Sequence, residues 1–162
     1  MTHCMKCGKE LVSKTEDHDD TPRMGCPDPD CGFTFYENPV PVVAAIVEKD
    51  DHIVLARNAA WPEGIFALVT GFLEKGETPD DGIKREVREE LGLTPLSCEF
   101  IGYYSFFKMN QLILAYHVVA QGEICLSPEI AEVRHIKPEK FKPWPFGTGP
   151  AVRDFLDKKF SI

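Results

Sequence analysis

Seven residues between Gly71 and Leu93 are spaced for chemistry. Gly71, Glu77, Arg85, Glu86, Glu89, Glu90 and Gly92 follow the order G-x5-E-x7-R-E-U-x-E-E-x-G-U, with Val87 and Leu93 at the apolar U positions. On a helical wheel of about 100° per residue with Glu86 at zero, Glu89 falls near −60° and Glu90 near +40°. Ile83, Val87 and Leu91 fall at roughly 60°, 100° and 140° on the same wheel. Three carboxylates therefore line the edge of a face that must be buried. Like charges crowded together and half out of water are costly. A divalent cation such as Mg²⁺, which takes oxygen ligands and binds phosphates as well, relieves both penalties. Arg85 stands four residues before Glu89, within reach of an ion pair that would orient the set.

The elements that must hold these groups are also legible. Thr78-Pro79-Asp80-Asp81 reads as a helix start, with Thr78 capping, Pro79 at the first helical position and Asp81 where a capping box wants its acid. Gly92 reads as the left-handed stop. Gly71 and Gly76 suit a loop turning closely against the helix, with Glu77 near its positive end. Gly82 costs about 1 kcal/mol inside a helix relative to alanine. It lies one turn below Glu86, so the expectation is that the 71–76 loop packs over it.

A second constellation is Cys4-x2-Cys7 followed, after eighteen residues, by Cys26-x4-Cys31. Two turns that each supply a pair of thiolates form a tetrahedral Zn²⁺ site with no open position, which is structural rather than catalytic. Gly8 and Gly32 suit the tight turns that aim the sulfurs inward. About thirty-five residues with few apolar side chains cannot build a core, so the metal would supply most of the folding energy. His3 and His18 read as solvent-exposed rather than as ligands, and Cys98 and Cys125 as buried thiols in apolar strands.

The 162 residues allow one sizeable domain and a small appendage. The join falls at Tyr36-Glu37-Asn38-Pro39, giving a ribbon over 1–36 and a main domain over 37–162. Strands are expected at Val42–Val47 and Ile53–Arg57, hairpinned through Lys49-Asp50-Asp51, and at Ile65–Thr70, Cys98–Phe107, Leu112–Gln121 and Val133–Ile136. A closing helix is expected at Pro150–Phe160, with Val152, Phe155 and Leu156 on one face. Such an order gives an α/β chain with helices on both sides of a mixed sheet, a three-layer sandwich. No transmembrane run or leader with an apolar core is evident. The formal charge of −8, with acids crowded between Thr15 and Asp30, disfavours a nucleic-acid backbone as partner.

The box resembles that of the Nudix hydrolases, with every fixed position matched. The resemblance implies the α/β/α sandwich with a mixed sheet. It also implies a pyrophosphohydrolase dependent on Mg²⁺ or Mn²⁺, acting on a nucleoside diphosphate linked to another group and releasing two monophosphates. Glu86, Glu89 and Glu90 would hold the metal and the Gly71 carbonyl would add a ligand. A Glu or a metal-bound hydroxide would generate the attacking water. A four-cysteine ribbon before this core, and the wording Gly71-Phe72-Leu73-Glu74-Lys75-Gly76-Glu77, resemble the NADH pyrophosphatase branch. The similarity continues through Gln111–Tyr116 and Glu129–Arg134, and makes Glu129 a further catalytic candidate. A cytoplasmic location, reduced cysteines and a homodimer also follow by resemblance.

Dinucleotide-specific members of that branch carry S-Q-P-W-P-F-P-x-S shortly after the box. Here Ser105-Phe106-Phe107-Lys108-Met109-Asn110-Gln111-Leu112 keeps only the Ser. NADH, FAD and ADP-ribose thus remain open as substrates. A Pro143-Trp144-Pro145-Phe146 string does occur, but some fifty residues beyond the box, where it reads as a loop packed under the last helix. Tyr103, Phe106 and Arg57 are the candidate substrate contacts, with Phe35, Tyr36 and Phe107 as further aromatic platforms. Trp61 reads as a loop anchor or lid. Two other readings stand beside the hydrolase: a sensor that binds ADP-ribose or a nucleotide without cleaving it, and removal of NAD-type caps from RNA 5′ ends.

Overall fold

The structure, a computed structural model, describes residues 1–16 and 19–160. His18 and Asp17 lie outside them. Contacts divide the chain into two units, Met1–Asn38 and Pro39 onward.

The first unit is a three-stranded antiparallel sheet of β1 (Val12–Glu16), β2 (Asp19–Gly25) and β3 (Thr34–Phe35). Its core is small: Cys4, Leu11 and Cys26 are buried, with Met24, Cys31, Phe33 and Phe35 packed around them. So few apolar groups cannot offset the chain entropy of this many ordered residues.

The second unit is built on β4 (Val40–Lys49), a ten-residue strand whose centre is buried on both faces. That explains its continuous apolar run where a half-exposed strand would alternate. It pairs in parallel with β8 (Gln111–Gln121) and antiparallel with β5 (His52–Asn58) and β6 (Val69–Phe72). The edges are β7 (Thr94–Phe106) beyond β8, and β9 (Ile130–Ile136) beyond β5. The β4–β5 hairpin turns through Asp50 and Asp51, both with positive φ (49° and 58°), as a tight hairpin requires.

The period-two alternation of β4 sorts the helices onto opposite faces. Val43, Ala45 and Val47 pack with Ile83, Val87 and Leu91 of α1 (Pro79–Leu91). Val42, Ala44 and Ile46 face the side where Ala151, Val152 and Phe155 of α2 (Gly149–Phe160) are buried. The result is the expected three-layer sandwich with a mixed sheet.

Two expectations are corrected. The strand placed at Ile65–Thr70 begins four residues later, at Val69. Gly64 takes φ 83° and Ile65 is exposed, so before Val69 only Ala67 reaches a neighbour, bridging Ala56. Cys125 is neither in a strand nor buried: it sits exposed in the loop after β8. There its backbone N–H donates to the Leu91 carbonyl at 2.9 Å, capping the end of α1. Cys98 is partly buried against the α1 cluster, and burial pushes its thiol up to about 11.

Candidate active site and thiolate cluster

The first turn of α1 forms as its residues dictate. Thr78 is the N-cap, its Oγ1 accepting from the Asp81 N–H, and Pro79 follows at the first helical position. At the other end Gly92 adopts φ 68° and donates to the Arg88 carbonyl. Gly82 is crowded as expected: a Cβ there would lie 2.9 Å from Glu77 Oε1 and 3.1 Å from Leu73 Cδ1.

Arg85 does more than pair with Glu89. Its Nε and one terminal nitrogen grip both oxygens of Glu77, at 3.1 and 2.8 Å. The other terminal nitrogen reaches Glu86 at 2.7 Å and Glu89 at 3.1 Å, and a further bond runs to the Phe72 carbonyl at 3.2 Å. One rigid fork thereby ties the loop to the helix and aims two acids. Held by Arg85 and by the Glu74 N–H, the Glu77 carboxyl lies below the usual carboxylate range. Glu77 is thus a buttress for Arg85.

Burial raises the Glu86 carboxyl even with Arg85 beside it. Glu90 has no such partner. Burial first, then the charges of Glu86, Glu129 and Glu89, push it up to about 7. Glu129 comes from the loop before β9, outside the helix. That loop is tied to the end of α1, since the Ser127 N–H donates to the Glu90 carbonyl at 3.1 Å, and its far side is held by Ala59 N–H donating to the Glu129 carbonyl at 2.7 Å. The Ser127 hydroxyl is buried and has no hydrogen-bond partner among the described residues.

These groups border a cavity of about 1040 Å³, large enough for a dinucleotide-sized ligand. Gly71, Glu86, Glu89, Glu90, Ser127 and Glu129 form its acidic end. A Cβ on Gly71 would lie 1.9 Å from Glu86 Oε1, so only glycine leaves that carboxylate its place. Three features fit a divalent cation: a carboxylate set in which burial and neighbouring acids raise Glu86 and Glu90, a glycine cradle, and an orphaned hydroxyl lining the same end. Hard oxygen donors of this kind suit Mg²⁺ or Mn²⁺. Gly71→Ala is expected to weaken Mg²⁺ binding at least about tenfold while the thermal midpoint stays nearly unchanged, because only a side-chain end is displaced. Calorimetric titration beside a melting curve checks this.

Of the candidate substrate contacts, only Phe106 lines the cavity. Tyr103 is exposed and lies outside it. Arg57 is engaged elsewhere: Nε donates to Glu132 at 2.6 Å across β5–β9, and a terminal nitrogen to the Trp61 carbonyl at 3.1 Å. It anchors the loop that carries Trp61, which does line the cleft. Phe107 is exposed and Phe35 belongs to the first unit's core.

The Pro143–Phe146 string is the main site feature that sequence reading misplaced. Trp144 does pack inward, its ring 6.3 Å from that of Phe141. Its carbonyl lies 1.7 Å from where a Cβ on Gly149 would be, so α2 can start there only with glycine. Phe146, however, is 64% exposed and, with Trp144, Gly147 and Thr148, forms a wall of the cleft. Two prolines and two aromatics in alternation were the available signal. The fold brings them back beside Phe106, whose ring would lie 3.7 Å from a Cβ on Gly147.

In the first unit the four sulfurs of Cys4, Cys7, Cys26 and Cys31 all lie within 4.8 Å of one another. Cys4–Cys31 is 3.6 Å and Cys7–Cys26 is 3.4 Å. A tetrahedral zinc with Zn–S near 2.3 Å would set such pairs about 3.8 Å apart. Gly8 (φ 74°) and Gly32 (φ 60°) make the turns behind each pair. Burial raises the Cys4 thiol, but the Cys7 and Lys6 N–H groups and the neighbouring thiols outweigh it and bring it down to about 7. Burial and the Cys4 thiol push Cys31 up to about 12. His3 is exposed and outside the cluster, its ring bonded by Thr2.

A mixed sheet between two helices, with an acid-edged helix at the floor of its cleft, defines a Nudix hydrolase fold. Residues 38–156 match the NUDIX domain family model, and the chain belongs to that family. It is 32% identical over 122 residues to the NAD-capped RNA hydrolase NudC of Pseudomonas aeruginosa, covering 75% of this chain and 42% of that protein. The NudC of Mycobacterium tuberculosis is 35% identical over 82 residues, 51% of this chain and 26% of the relative. The chain thus spans less than half the length of these relatives. Among solved structures, a NUDIX hydrolase from Nitrosomonas europaea superposes with a TM-score of 0.83 at 26% identity, covering 99% of this chain and 93% of that one. An ADP-ribose pyrophosphatase from Streptococcus suis shares the fold at 17% identity, with a TM-score of 0.62 over 76% of this chain and 93% of its own. No described helix is long and apolar enough to cross a membrane.

Proposed function

We propose that this chain hydrolyses the P–O–P bridge of a nucleoside diphosphate conjugate, of the NADH, FAD or ADP-ribose type, to two monophosphates. The observation that carries this reading is the pair Glu86 and Glu90, their carboxyls raised by burial at one end of a cleft of dinucleotide size that Glu89 and Glu129 also line. Glu86, Glu89 and Glu90, with the Gly71 carbonyl, would hold Mg²⁺ or Mn²⁺. When bound, the dication supplies charge neutralisation at phosphate oxygens and a more acidic water.

The chain's own groups account for the rest. Arg85 fixes Glu86 and Glu89 so that little reorganisation accompanies binding. Glu90 has no basic partner among the described residues and feels the charge of Glu129, which suits one of the two to take a proton from water at its carboxylate oxygen. Phe106, Phe146, Trp61 and Trp144 offer faces on which a planar base can stack. In the first unit the four thiolates would hold a structural Zn²⁺.

Incubating the protein with NADH, FAD and ADP-ribose plus Mg²⁺ or Mn²⁺ is expected to release AMP, detected by chromatography. Binding of all three without AMP would favour the sensor reading, and no binding of any would end both. A second reading, removal of an NAD cap from an RNA 5′ end, draws on the names of the P. aeruginosa and M. tuberculosis relatives. Capped RNA competed against free NAD in one assay separates the two.

A further inference from the structure

The cleft is electrically lopsided. Glu86, Glu89, Glu90 and Glu129 stand at one end, and the sole cation among its described lining residues is Lys108. Lys108 sits in the short turn Phe107–Met109 joining β7 to β8. That turn is pinned. Asn110 takes φ 49° and donates its N–H to the Phe107 carbonyl at 3.1 Å, and Val40 N–H donates to the Asn110 carbonyl at 2.9 Å. Among the described residues the Lys108 ammonium has no ion-pair or hydrogen-bond partner. Phe106, Met109, Phe146 and Gln111, whose amide is a second donor, line the same cleft. A solvated lysine needs no explanation. A lysine on a pinned turn, the one cation among the described lining residues of a cleft that also carries four carboxylates, favours an anion at its own end.

Register shows how far this end lies from the acids. Gly71 pairs with Val43, Val43 with Leu114, and Leu114 with Tyr103, while Phe106 pairs with Gln111 and Gln111 with Val40. Counting about 4.8 Å per strand and 3.3 Å per residue puts the Lys108 Cα roughly 18 Å from that of Gly71. An extended lysine side chain covers about 6 Å of this. The remainder is too long for the ammonium to grip the diphosphate lying on the carboxylates. It suits a phosphate one nucleoside further along.

Resting on the pyrophosphohydrolase reading, we infer that Lys108, with Gln111, forms a subsite for a second phosphate carried on the ribose of the conjugate, at its 2′ or 3′ oxygen. The chemistry is a phosphate ester next to the scissile diphosphate. A dinucleotide bearing a ribose monophosphate supplies it, and so does the first 3′-phosphodiester of an RNA whose 5′ end carries the diphosphate.

The test compares kcat/KM within matched pairs for wild type, Lys108→Ala, Lys108→Gln and Lys108→Arg. One pair is NADH and NADPH. The other is an NAD-capped single nucleoside and an NAD-capped dinucleotide, which adds one phosphodiester. Wild type is expected to favour the phosphate-bearing member of at least one pair by about tenfold, the size of one charge-assisted hydrogen bond. Lys108→Ala and Lys108→Gln should erase that preference through KM, while cleavage of the partner lacking the phosphate stays within about twofold. Lys108→Arg should restore it. Preference in the first pair identifies a small ligand as the source, and in the second an RNA end. Equal kcat/KM within both pairs for wild type, or equal losses on both members in the variants, would overturn the subsite while leaving the hydrolase reading intact. Absence of cleavage in every arm would instead strike the hydrolase reading itself.

Discussion

Glu90→Gln is expected to lower kcat by about 10³-fold or more while making the metal-free protein more stable at pH 8. The two effects have one cause. Burial and the charges of Glu86, Glu129 and Glu89 push the Glu90 carboxyl up to about 7. A carboxyl raised above its unfolded value favours folding in its protonated form. That contribution is lost as pH climbs from the ordinary carboxylate range through about 7. Glutamine removes the ionisation and should recover the loss. The gain in thermal midpoint, measured in chelator, should be absent near pH 4, grow between about 5 and 7, and level off above. Turnover must fall because the neutral amide is a poor ligand for a hard dication and cannot accept a proton. A variant with undiminished kcat would remove Glu90 from the catalytic set. One that melted lower at pH 8 without metal would refute the electrostatic account of the cluster.

Cys26→Ser should abolish the order of the first unit and spare the second. Cys26 is 1% exposed and its sulfur lies 3.4 Å from that of Cys7, so serine opens the tetrahedron at its most enclosed corner. A structural zinc contributes about 10 kcal/mol or more to a small metal-dependent fold. Cys4, Leu11 and Cys26, with the few side chains packed on them, cannot replace that. The apolar clusters around β4 contain no residue from the first thirty-eight, so they keep their packing. Amide correlation spectra should lose the dispersed resonances of residues 1–38, keep those from Pro39 onward, and show the same change when zinc is chelated. Dispersed ribbon resonances that survived both treatments would mean that the four thiolates serve some other purpose.

The legible parts of this protein are those decided by neighbours in the chain. The caps at Thr78 and Gly92, the crowding over Gly82, the acid stripe of Glu86, Glu89 and Glu90, and the paired cysteine turns are set within a few residues by helical period and backbone preference. The apolar run at Val42–Val47 marked a strand, and the order of strands and helices implied the layers of the sandwich. Ile65–Thr70 and Cys125 misled because apolar character resembles strand content in loops too: Phe66 and Leu68 pack into the core from outside a strand, and the Cys125 loop caps the end of α1.

Tertiary structure decided which groups share the cleft. Arg57 carries no local mark that it would be spent on Glu132, a partner seventy-five residues away, rather than on a ligand. Phe146 and Lys108 reach the cleft only because the β7–β8 turn and the start of α2 return to it, and strand pairing sets that return. Glu129 gains its meaning the same way, from a loop bonded to the last carbonyls of α1. Local spacing fixes which chemistry a helix edge can perform. What that edge faces depends on burying side chains far apart in sequence, and the choice is made by packing the whole domain at once.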